Sequence, residues 1–199
     1  MAPRKANVRP AAAGGGSLLW GRLNTFNSQS EIRAMDDRFN LADDAYERGE
    51  HDGAFSKFLE LAEDGDVDAM ARVACMYSDG EGTAWSLDKS LEWDLRAASL
   101  GGTTSMFNLG ITYRNSGNAR EARRWFEKLH MSGDGDASLE LAKMYMVSDL
   151  EGQRIKTYLL AAVQSSHVCE ASREEAQELL NSLGYGVQAD AQDARQAGV

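Results

Sequence analysis

From about residue 31 to residue 184, apolar residues return every three or four positions, the period of a helix with one buried face. Two patterns alternate along this stretch. In the first, helix A, the pairs Leu41-Ala42, Val73-Ala74, Leu109-Gly110 and Leu141-Ala142 are each followed three residues on by Ala45, Tyr77, Tyr113 and Tyr145. In the second, helix B, Ala54, Ser90, Ala122 and Ile155 share one position. Lys57, Trp93, Trp125 and Tyr158 come three residues later, then Leu61, Ala97, Leu129 and Ala162. Gly65, Gly101, Gly133 and Ser166 close the unit. These offsets hold in all four units without a gap. Only the turn between the helices varies: the Ala or Tyr of helix A precedes the closing residue by 20, 24, 20 and 21 positions.

A conserved helix spacing joined by elastic turns is the mark of stacked helical hairpins. Each repeated position then has an expected role. Leu41, Val73, Leu109 and Leu141 point into the core. Trp93 and its equivalents fill the space between neighbouring hairpins, and Ala97 and Ala98 let helices approach. Gly101 ends its helix in the left-handed conformation. Asp66 or Asp68, and later Asp136, cap the N-terminus of the following helix A. A last helix, Glu170–Leu183, closes the array.

The stretch "AMARVACMYSDGEGTAWSLDKSLEWDLRAASLGG" (Ala69–Gly102) resembles a Sel1-like repeat. The matching residues are Ala69, Val73-Ala74, Tyr77, Gly80, Gly82, Lys89-Ser90, Trp93, Arg96-Ala97-Ala98 and Gly101. The segments "LADDAYERGEHDGAFSKFLELAEDG" and "LGITYRNSGNAREARRWFEKLHMSG" resemble the related tetratricopeptide repeat, with its shorter turn. The expected fold is therefore all-α: a right-handed α-α superhelical solenoid of about four helical hairpins with a C-terminal capping helix. For function the resemblance implies mainly protein binding. Cysteine-rich relatives have been linked to β-lactam chemistry, but they pair two cysteines per repeat. This chain has only Cys75 and Cys169.

Composition divides the chain into three. Residues 1–30 hold Arg4, Lys5, Arg9 and Arg22 and no acid, within a low-complexity arm that ends in a short amphipathic segment (Leu19, Trp20, Leu23, Phe26). Residues 31–184 form the repeat domain, and residues 185–199 read as a disordered tail. Of the 21 basic residues, 17 remain beyond the arm against 31 acids, a net charge of −14 there. Such a body repels phosphate backbones, so nucleic acid is not an expected partner, and a basic protein or peptide is favoured. The chain has no long apolar run, so neither membrane integration nor a secretory signal is expected. Two isolated cysteines fit a reducing compartment, and the cytoplasm is the expected location.

Candidate chemistry is sparse. Asp64, Asp66 and Asp68 have the spacing that begins an EF-hand loop, but Ala69 and Cys75 stand where that loop needs glycine and an acid. His51, His130 and His167 lack ligand partners at helical spacing, and His130 reads as a half-buried packing residue. No metal, cofactor or catalytic residue is expected. The helix A pattern does suggest a binding surface. Residues flanking its core row form a mixed apolar and charged stripe on the concave face: Phe39, Tyr46, Phe107, Ile111, Arg114, Leu139, Lys143 and Met146. The expected function is a non-catalytic protein–protein interaction scaffold, an adaptor or regulator, binding a partner segment in that groove. One version is an immunity-type inhibitor of a toxin. The alternative is a hydrolase acting on cell-wall-related substrates, as suggested for the cysteine-rich relatives.

Overall fold

The computed structural model describes residues 29–147 and 152–185. The expected amphipathic arm and most of the expected tail lie outside the described residues. Among these, the chain forms nine α-helices: α1 (Gln29–Glu47), α2 (His51–Asp64), α3 (Val67–Asp79), α4 (Leu87–Ser99), α5 (Thr103–Asn115), α6 (Ala119–Met131), α7 (Gly135–Val147), α8 (Gly152–Gln164) and α9 (Glu170–Ser182). Consecutive helices pack as hairpins, and the odd-numbered helices also touch one another laterally, α3 on α5 and α7 on α9. The odd helices thus form one row and the even helices the other. No described helix is long and apolar enough to cross a membrane.

The repeat positions explain most of the packing. Leu61, Ala97, Leu129 and Ala162 are all buried, as are Ala54, Ser90, Ala122 and Ile155. Gly65, Gly101 and Gly133 follow the even helices with φ of 105°, 98° and 90°, a conformation that strains any residue with a Cβ. Gly110 has a different reason to be small. A Cβ there would stand 2.5 Å from the Phe126 ring, so the glycine lets α6 press its phenylalanine against α5. After α8 the pattern lacks its glycine, and the chain closes differently. Gly135 N–H donates to the His167 carbonyl at 2.8 Å, and the Ser165 hydroxyl donates to the Gly133 carbonyl at 2.6 Å. This short bridge docks the end of the fourth hairpin on the turn before α7. Helix α9 then buries Ala176 and Leu180 and takes the place of a fifth helix A.

Four expectations need correction. Leu41 is 60% exposed, although Val73, Leu109 and Leu141 are fully buried. Those three lie beneath the even helix of the preceding hairpin, and no described helix precedes α1. Its buried residues are instead Ala42 and Ala45, which face α2. Second, Trp93 and Trp125 pack between hairpins but stay half-buried, with Arg96 and Lys128 lying over their rings. The position one residue further on is the truly internal one in every hairpin: Phe58, Phe126 and Leu159 are fully buried there, and Asp94 is buried as well. Third, the cap of α7 is Asp134, whose carboxylate accepts from Ala137 N–H at 2.8 Å. Asp136 instead accepts from the Cys169 backbone N–H at 3.2–3.3 Å. Asp66 does cap α3, accepting from Ala69 N–H at 2.8 Å. Finally, Leu139, placed on the concave face by the sequence pattern, is 1% exposed and belongs to the core around Phe126 and Leu141. α9 packs laterally against α7, as α5 does against α3.

Candidate functional site

The odd helices present one continuous face, and its side chains are tied laterally from repeat to repeat. Arg72 of α3 donates to Asp43 of α1 at 2.5 Å and lies over the Tyr46 ring at 5.3 Å. Tyr46 donates its hydroxyl to Glu81, a bond that raises the phenol pKa. Further along, Arg114 of α5 pairs with Glu140 of α7. Lys143 of α7 then reaches Glu175 of α9 at 2.7 Å and Glu140 at 3.4 Å. Arg114 and Lys143, expected on the partner-binding face, here pair with acids of neighbouring odd helices.

Between these charges lie half-buried apolar side chains. Phe39 meets Phe58 edge-on at 5.2 Å, and Phe107 meets Phe126 in the same way at 5.5 Å. Ile111 and Met146 pack against the same core as Phe107. Each of these residues roots one side in the core and leaves part of its surface open. Phe107 also borders an open cleft of about 450 Å³ where the N-termini of α5, α7 and α9 converge. Thr104 and Asn108 line the α5 side of that cleft, Asp134 and Asp136 the α7 side, and Cys169 and Ser172 the α9 side. The sequence pattern did not point to Thr104, Asn108, Asp134 or Ser172, and named Asp136 only as a helix cap. Thr104, Asp134 and Ser172 fall at helix starts, outside the repeated core offsets, and Asn108 lies within α5 just before the core position Leu109.

Candidate nucleophiles are poorly placed for chemistry. The Cys75 thiol pKa is raised, chiefly by burial and then by the charges of Asp94 and Asp79, so the protonated form is favoured. Cys169 faces the Ser172 hydroxyl at 3.1 Å, while the backbone N–H of His167 donates to Ser165. His130 is half-buried, with Nδ1 2.8 Å from the Ser138 hydroxyl and its ring edge-on to Tyr158. Both cysteines are free.

No family model and no curated protein matches the chain. Solved structures do. A Sel1 repeat protein from Oxalobacter formigenes superposes with a TM-score of 0.65 at 20% identity, over 83% of this chain and 71% of that one. The protein c5321, described as a protective antigen of uropathogenic Escherichia coli strains displaying an SLR fold, superposes at 0.61 with 19% identity. That match covers 77% of this chain and 35% of the other. With its helix order and hairpin packing, this chain has the α-α solenoid fold of the Sel1-like repeat proteins.

Proposed function

We propose that the protein is a non-catalytic interaction scaffold that holds a partner segment on the concave face formed by its odd helices. The observation that carries this reading is the run of half-open apolar side chains, Phe107, Ile111 and Met146, set among paired charges and beside the cleft at Asn108. Apolar anchors within a polar rim are what a docked peptide or helix uses. Phe39 and Tyr46 extend the surface to the first hairpin, and Arg114 and Lys143 supply its rim. Leu139 belongs beneath this surface, in the core. The acidic body favours a basic partner through faster encounter, and an adaptor, or an inhibitor of the immunity type, fits that pattern. A reducing compartment such as the cytoplasm suits the two free thiols.

The test is a double substitution, Phe107→Ser with Ile111→Asp, compared with wild type for retention of proteins from the source cells. Loss of a specific retained partner, with the helical circular-dichroism signal unchanged, is the expected result. Unchanged retention would move the binding surface elsewhere.

A further inference from the structure

One position of the repeat carries a residue unlike its equivalents. Phe58, Phe126 and Leu159 fill the cores of the first, third and fourth hairpins, and Asp94 stands at that position in the second. It is only 3% exposed. The neighbouring buried residues Ser90 and Ser105 are polar as well. The apolar core divides there: one cluster extends from Ala42 to Ala97, the other from Ala98 to Leu180. The lateral ties change at the same place. Ion pairs link α1 to α3, α5 to α7 and α7 to α9. Between α3 and α5, no ion pair occurs among the described residues. Instead the Asn108 amide of α5 lies 3.6 Å from the Cys75 sulfur of α3 and donates to Asp94 at 3.4 Å.

Among the described residues, Asp94 has no countercharge. From α3 it faces the Cys75 thiol, which feels its charge. From α5 it faces Ser105 and Asn108, both uncharged. The Ser105 hydroxyl lies near enough to favour the carboxylate without making a hydrogen bond of ordinary geometry. On α4 itself, the basic groups of Lys89 and Arg96 lie over the Tyr77 and Trp93 rings. Burial pushes the Asp94 carboxyl up from 3.8 to about 6, against the smaller opposing pull of Ser105 and Asn108.

We propose that Asp94, Ser105 and Asn108 form a proton-sensitive joint between the two halves of the solenoid, closed when Asp94 is protonated and opening more readily when it is ionised. Opening returns the carboxylate to water, where its charge is no longer penalised. The groove crosses this joint at Phe107 and Asn108, so its lining responds to pH. That consequence rests on the interaction reading above, whereas the joint is a property of the protein alone.

The sign follows from linkage. A carboxyl whose folded pKa exceeds its solvated value imposes no penalty when pH is low enough to protonate it in both states. The penalty grows as pH rises and is complete above about 6. Between pH 5.0 and 7.5 the closed form loses about tenfold in its closing equilibrium through this group.

The test is amide hydrogen exchange on the full chain at pH 5.0 and 7.5, corrected for the intrinsic pH dependence of exchange. The wild type is compared with Asp94→Asn and Asp94→Leu. Amides of Trp93–Ala97 and Phe107–Ile111 in the wild type should open about tenfold more at pH 7.5, beyond any change in α2 or α8. Both variants should lose that excess, and the leucine variant should be better protected at pH 7.5. The same excess in wild type and Asp94→Asn, or an excess spread evenly over all helices, would overturn the joint. Neither readout depends on a partner, so failure of the groove and failure of the joint are separately visible.

Discussion

The second and third hairpins share the same offsets within their helices and differ sharply at one internal position. In the third, Phe126 lies against Gly110 and meets Phe107 edge-on, completing an apolar core. In the second, Asp94 occupies the equivalent place beneath a tryptophan, surrounded by Ser90, Ser105 and Asn108. Both hairpins have the same helical length and the same half-buried tryptophan. A repeat array therefore tolerates a change of chemistry at a core position when neighbouring repeats supply the cohesion, since its stability is a sum of unit and interface terms.

The largest effect expected from this comparison is at Phe126. Phe126→Ala should cost about 3–5 kcal/mol, because the vacated ring leaves a cavity that Gly110 cannot fill. A chemical-denaturation midpoint that does not move would show that the third hairpin has no such core. At Asp94 the opposite sign is expected. Asp94→Leu should stabilise by about 2–3 kcal/mol at pH 7.5, where the buried carboxyl is ionised, and by about half that at pH 5. Equal gains at the two pH values would mean that packing, and not charge, sets the difference between the hairpins.

Trp93→Ala and Trp125→Ala should be milder, about 1–2 kcal/mol each, because both rings keep an open face beneath a cation. A loss as large as that of Phe126→Ala would make the tryptophans the main core residues after all. The smallest effect belongs to the lateral ion pairs. Arg114→Met should change stability by less than about 1 kcal/mol, and the change should shrink in high salt, since the pair is partly exposed. A larger, salt-independent loss would show that stacking of the odd helices relies on charge.

What the sequence determined by itself is the repeat: the alternation of two helix types, the glycine that follows each of the first three even helices, and that a last helix closes the array. Those features are local. A 3.6-residue period, a glycine in the left-handed conformation and a capping aspartate act within a few residues of chain, so repetition makes them legible. What only the tertiary structure decided is which equivalent positions are in fact equivalent. Leu41 and Val73 share a register, yet one is exposed and the other buried, because only the second lies under a preceding hairpin. Leu139 shares a position with Phe107 but is sealed into the core. Arg114–Glu140, Lys143–Glu175 and Asn108–Cys75 join residues 26, 32 and 33 positions apart. The cleft between α5, α7 and α9 likewise needs three helix ends brought together. Burial and lateral contact depend on what stacks against a helix, and a periodic pattern describes only the helix itself.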